Sequence, residues 1–134
     1  MNETIQTLLT RRSIRSYTSQ QISEEDLQLI LKAGEYAASG HSLQPVTMVV
    51  VQDKATIAQL SAMNAKILGT DGDPMYGAPT IIVVLSDPHI SPANYWSDGC
   101  LVMGNLMNAA ASLGLGSCWI NRAKEEFESP EGKA

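Results

Sequence analysis

Apolar residues change their spacing several times along the chain, and each change marks a boundary between elements. Over residues 2–12, Ile5, Leu8 and Leu9 fall on one face of a helical wheel. A second helix is better marked. Ser23 stands three positions before Asp26, close to a capping box with Asp in place of the usual Glu or Gln. Behind it Leu27, Ile30, Leu31, Gly34 and Ala38 recur at helical intervals, which predicts a helix over residues 24–38. The period then drops: Val46, Thr47, Met48, Val49, Val50 and Val51 form a largely β-branched run without a breaker, the pattern of a buried strand.

Asp53 is placed to cap a third helix carrying Ile57, Leu60 and Ile67. Residues 69–74 read as a loop, and Pro79 precedes a second apolar strand over residues 80–85. Beyond Asp87-Pro88 and Ser91-Pro92 lies a long helix, residues 94–113, rich in Ala, Met, Leu and Gly and poor in charge. A helix apolar nearly all round belongs in the middle of a structure. Gly114 suits its C-terminal turn, and residues 116–120 read as a third strand. The tail from Lys124 is charged and ends on no recognisable element. Strands apolar on both faces need cover on both faces and at their edges, and this arrangement leaves the cover incomplete.

Composition narrows the class. The 134 residues suit one domain, and with 44% apolar and 17% charged residues the chain has material for one core. A net charge of −5 disfavours a nucleic-acid or membrane-surface role for the chain as a whole. No apolar stretch approaches the roughly 20 residues of a membrane helix. Met1-Asn2-Glu3-Thr4 shows no basic region followed by an apolar one, and Cys100 and Cys118, like His41 and His89, form no metal-ligand spacing. The expectation is a cytoplasmic protein with reduced thiols, no membrane contact, no nucleic acid and no bound metal.

Three segments carry candidate chemistry. Arg11, Arg12 and Arg15 surround Ser13, a local excess of positive charge in an acidic chain. Guanidinium forks and a hydroxyl suit a phosphate or a carbonyl-rich heterocycle; a basic helix C-terminus facing solvent explains the same spacing. In residues 37–45, small residues let a flat ligand approach the backbone, with Ser39 and Ser42 adding hydroxyls; an ordinary helix end and loop fit equally. His41 there reads as an exposed loop residue rather than a base. Residues 114–120 offer glycines ahead of a strand, for ligand packing or simply for a helix stop. Cys118 has no assignable base and reads as a small core residue, and Trp96 and Trp119 as core or interface.

Taken in order, these segments resemble the nitroreductase family of flavin enzymes. Arg11-Arg12-Ser13-Ile14-Arg15-Ser16-Tyr17 is similar to its R-R-S-[IV]-R-x-[FY] opening, residues 37–45 to its A-P-S-[AGS]-x-N-x-Q-P segment, and residues 114–120 to its G-[LI]-G-[ST]-C-W-I stretch. Residues 79–84 fit the strand between them. The resemblance implies an α+β fold, a mixed β-sheet flanked by helices, in an intertwined homodimer holding FMN at the interface. It puts Arg11, Arg12 and Ser13 at the FMN phosphate and ribityl end, and Arg15 at the pyrimidine side. Ala38, Ser39, Gly40 and Ser42 of the other subunit would line the dimethylbenzene side. Asn64 would face the ring's polar edge, with the backbone around Trp119, Ile120 and Asn121 near N5.

The implied reaction is ping-pong: NADH or NADPH gives a hydride to flavin N5 and leaves, and a nitroaromatic, quinone or similar small acceptor takes its place. Flavin then performs the chemistry, and no catalytic side chain is required. Two departures alter the walls of the site: Ser42 stands where the family commonly has Asn, and Val46 where an aromatic is frequent. Family members also continue into a further strand and a segment with a phosphate-binding basic residue. The expectation is therefore a single nitroreductase-like domain over residues 1–134 that is short at its C-terminus. The alternative is a nitroreductase-like dimer that has lost productive flavin binding and serves as a binding or structural protein.

Overall fold

The structure, a computed structural model, describes all of residues 1–134. Helix α1 (Glu3–Thr10) begins where the Asn2 side chain accepts the Ile5 N–H. Helix α2 (Glu24–Glu35) begins at Ser23, whose hydroxyl accepts the Asp26 N–H, and α3 (Lys54–Leu68) at Asp53, whose carboxylate accepts the Thr56 N–H. Each cap fills one of the donors that a helix start leaves without an intrahelical partner. A short 3-10 turn (Gly40–Ser42) follows α2, and α4 (Tyr95–Ser112) is the longest element. Two short helices close the chain, α5 (Ala123–Glu128) and α6 (Pro130–Lys133). No helix is long and apolar enough to cross a membrane.

Strand β1 (Val46–Val51) pairs antiparallel with β2 (Ile81–Ser86), in register from Val46 opposite Ser86 to Val51 opposite Ile81. The α+β class holds. The strand expected over residues 116–120 does not form: a single parallel bridge joins Ser13 to Ser117, with the Ile14 N–H donating to the Ser117 carbonyl at 3.0 Å. No second rung follows, and the Ile14 carbonyl accepts the Tyr17 hydroxyl. The tail expected to be irregular is helical. Ser129 ends α5 and starts α6, its hydroxyl accepting the Gly132 N–H at 3.1 Å.

The core is narrow. Ile30 of α2 meets Val102, Leu106 and Ala110, a buried stripe of α4, with Met48, Val84 and Ile82 of the sheet packed beside them. Gly34 lets α2 come this close: a Cβ there would stand 2.8 Å from both Leu106 Cδ2 and Met48 Sδ. Only 15 of 134 residues are buried, so most apolar side chains keep an open face. Helix α4 is covered on one side rather than all round, because α2 and the sheet reach only that side. Trp96 of α4 is 62% exposed, Leu101 is half exposed, and Trp119 is also exposed, so neither tryptophan is a core residue of the single chain. Cys118 is only partly buried.

Gly34→Ala places a methyl group where Leu106 and Met48 already touch. Overpacking of this kind costs about 1–3 kcal/mol, against a helix-propensity gain of up to about 1 kcal/mol. The variant is expected to be less stable by roughly 1 kcal/mol in urea unfolding; a gain in stability would mean that the α2–α4 contact is loose.

Candidate functional site

Two of the three candidate segments meet in one chain. The Ser13–Ser117 bridge lays residues 11–17 alongside residues 114–121. Close approach is possible because Gly116 has no side chain: a Cβ there would stand 3.0 Å from Ile14 Cβ. The second segment reaches the bridge because Gly114 takes φ 76° after α4, while the Leu115 N–H returns to the Ala110 carbonyl at 2.9 Å. Tyr17 lies half-buried beside them, and burial, with the Cys118 thiol nearby, pushes its hydroxyl above the ordinary tyrosine value.

The three arginines part company. Arg12 turns back on α1 and donates through Nη1 to the carbonyls of Leu9 at 3.0 Å and Arg11 at 2.7 Å. For this residue, the helix C-terminus accounts for the charge. Arg11 is different: its Nη1 is buried and has no hydrogen-bond partner. A buried guanidinium donor without an acceptor is costly, and an anion beside it would supply what is missing. Ser13 and Arg15 are exposed, and Arg15 takes part in none of the chain's ion pairs.

Asn64 holds the third segment from behind. It is fully buried, and its Nδ2 donates to the Asn121 carbonyl and to Glu126 Oε2, each at 2.9 Å. Its Oδ1 accepts Arg122 Nε at 2.9 Å. Both ends of the amide are engaged within the chain. Asn64 therefore anchors residues 119–122 from behind. Directly ahead of the anchor Trp119 is exposed and Ile120 half-buried. Arg122 and Glu126 escaped the sequence reading, although their spacing of four across a helix start was a usable signal.

Residues 38–44 sit elsewhere. The Gly40 N–H donates to Asp98 Oδ1 at 2.9 Å, and the Gln44 N–H to Ser39 Oγ at 3.1 Å. His41, Ser42 and Gln44 all have positive φ, near 50°. No hydrogen bond joins this loop to residues 11–17 or 114–121. Asp98 lies at the start of α4 and Gly114 just beyond its end, about 24 Å apart along the axis at 1.5 Å per residue. One chain thus carries Ala38, Ser39, Gly40 and Ser42 at one end of α4 and Arg11 to Arg15 at the other. Asp98 was also missed; an isolated acid in an apolar helix was its signal. An open groove of about 880 Å³ between α3 and residues 70–79 is lined by none of these site residues.

A model of the nitroreductase family matches residues 8–126. The chain belongs to the nitroreductase family. An Archaeoglobus fulgidus protein, named as a candidate NADH dehydrogenase/NAD(P)H nitroreductase, is 37% identical over 123 residues, covering 90% of this chain and 68% of the relative. The FMN reductase [NAD(P)H] of Bacillus subtilis is 31% identical, covering 92% of this chain and 56% of its own length. Several of the curated relatives it matches are thus spanned for little more than half their length. Among solved structures, a Bacteroides fragilis nitroreductase with bound FMN superposes with a TM-score of 0.87 at 30% identity, covering 99% of this chain and 77% of that one. A Desulfitobacterium hafniense nitroreductase with bound FMN gives 0.79 at 28%, covering 98% and 84%.

The anchor behind residues 119–122 has a pH signature. Burial pushes the Glu126 carboxyl above its ordinary value, with the Asn64 bond and the Arg122 charge pulling the other way. The folded state therefore holds this proton more tightly than the unfolded state. Its contribution is complete below the ordinary glutamate value and is lost as pH rises through the raised one. Stability of the protein relative to Glu126→Gln, measured by urea unfolding across a pH series, is expected to fall as pH rises from about 4. A difference that does not vary with pH would contradict a burial penalty that outweighs the Asn64 bond and the Arg122 charge.

Proposed function

We propose that this chain is an FMN-dependent NAD(P)H oxidoreductase acting as a homodimer, with a nitroaromatic, quinone or similar small molecule as acceptor. The observation that carries this reading is Arg11: in a nitroreductase fold, its buried Nη1 has no acceptor, as a donor awaiting an anionic cofactor would. FMN, when bound, supplies two-electron chemistry between a nicotinamide donor and an acceptor that use the same face in turn. The chain's own residues hold and orient it. Arg11 and Ser13 take the phosphate and ribityl end. Arg12 contributes less, since its guanidinium is already engaged with α1.

Arg15 is free to place a cation at the pyrimidine edge, where reduction leaves negative charge; a fixed positive group there stabilises the reduced form. Trp119 and Ile120, held by the Asn64 anchor, flank the reacting face. Ala38, Ser39, Gly40 and Ser42 complete the opposite wall from a partner copy, because within one chain they stand at the far end of α4. The exposed apolar side chains of Ile5, Leu8 and Leu9 on α1 and of Trp96 and Leu101 on α4 suit burial between two copies. The free thiols of Cys100 and Cys118 accord with a reducing, cytoplasmic setting.

The visible spectrum of the purified protein tests the reading. A yellow dimer is expected, bleached by anaerobic NADH or NADPH and recoloured by an acceptor. Protein that stays colourless in excess FMN, or a monomer that binds FMN, would overturn the shared flavin site; the first result would favour a binding or structural role.

The two neighbouring arginines separate the cofactor reading from the helix-end reading. Loss of one charge-assisted hydrogen bond costs about 1.5–3 kcal/mol. Arg11→Ala is therefore expected to weaken FMN binding roughly ten- to a hundredfold, and Arg12→Ala several-fold at most. Equal effects in a fluorescence titration would remove the distinction drawn from Arg11's buried donor.

A further inference from the structure

Asp98 is the deepest carboxylate in the chain, 2% exposed, and it lies on the core-facing stripe of α4 one turn ahead of Val102. Burial of an ionisable group at such a place is costly unless it is hydrogen-bonded. Its Oδ1 accepts the Gly40 N–H at 2.9 Å, while no protein group partners Oδ2. A cavity of about 120 Å³ opens beside it, bounded by Ala38, Ser39, Gln44, Val46 and Met48. The carboxylate thus joins the central helix to the loop and to nothing else.

That loop needs an external hold. His41, Ser42 and Gln44 adopt left-handed backbone that residues with a Cβ adopt only under constraint. The bonds inside the loop, Ser42 N–H to the Ser39 carbonyl and Leu43 N–H to the Gly40 carbonyl, shape the turn without locating it in the molecule. Location comes from α4. Asn94 leaves room there only for glycine, since a Cβ on Gly40 would stand 2.4 Å from Asn94 Nδ2, and Asp98 fastens the glycine's amide one turn further on.

We infer that Asp98 is a positioning residue. By holding the Gly40 amide it keeps the strained turn at His41 and Ser42 in the shape that receives the flavin ring of a partner copy. This rests on the flavin-binding reading given above. The bond accounts for an acceptor at this point in an otherwise apolar stretch of helix, and an amide oxygen would serve it as well.

The test pairs Asp98→Leu, which removes the acceptor while the adjoining cavity makes room for the larger side chain, with Asp98→Asn, which keeps a carbonyl oxygen for Gly40. Amide hydrogen exchange of the FMN-free dimer is read first. Asp98→Leu is expected to speed exchange at Gly40, Ser42, Leu43 and Gln44 by about tenfold or more, while β1 amides change by no more than about twofold. FMN titration then follows, with affinity expected to fall about tenfold for Asp98→Leu and to stay within about threefold for Asp98→Asn. Asp98→Ala, which leaves the cavity open, serves if the leucine disturbs folding.

Unchanged loop exchange, equal acceleration in β1, or failure of Asp98→Asn to restore either reading would overturn the inference. So would faster loop exchange without loss of FMN affinity. Wild-type protein that binds no FMN would overturn the flavin reading itself; the exchange pattern judges the hold on Gly40 independently of that result.

Discussion

The packing of α2 on α4 is the contact on which the rest of the structure depends. Gly34 allows the two helices to approach until Leu106 and Met48 fill the space a side chain would take, and Ile30, Val102, Leu106 and Ala110 close the core around that point. Once α4 is held there, both of its ends become fixed positions. Its first turns carry Asn94 and Asp98 against the Gly40 loop. Its last turn ends at Gly114 and sends the chain to meet Ser13. A single helix thereby sets the separation of the two halves of the candidate site.

That separation explains why one chain leaves so much apolar surface open. About 24 Å of helix lies between the loop's anchor on α4 and the glycine that leads to the arginine segment, and no hydrogen bond joins the two within one copy. The exposed faces of α1 and α4 are the surfaces a second copy would cover in bringing them together. Polar groups follow the same division. Asn64 bonds Arg122, Glu126 and the Asn121 carbonyl behind residues 119–122, while Arg11 Nη1, like Glu126 Oε1, Asp98 Oδ2 and Ser91 Oγ, is buried without a partner.

Much of the fold was legible because its signals are local. Asn2, Ser23 and Asp53 start the helices by side-chain bonds spanning three residues, and β1 occupies the predicted six residues. The misses were not local. Residues 116–120 have the composition of a strand, yet a strand exists only where successive rungs find partners, and here only the Ser13–Ser117 bridge forms. The tail looked too charged to fold, but Glu126 is drawn inward by Asn64, a residue 62 positions away.

The sequence by itself determined where α1 to α4 begin to within about a residue, the two apolar strands, the family resemblance and the grouping of Arg11, Ser13, Arg15, the Ser39–Ser42 loop and residues 114–120 as candidate chemistry. Those properties are written in short-range spacing, which one chain displays without folding. Only the tertiary structure decided which arginine is spent on its own helix and which is left with a buried donor, that Asn64 bonds Asn121, Arg122 and Glu126, and that Asp98 bonds the loop. Each of those depends on partners brought together from distant parts of the chain. Such pairings are set by how α4 packs, and spacing along the sequence cannot express them.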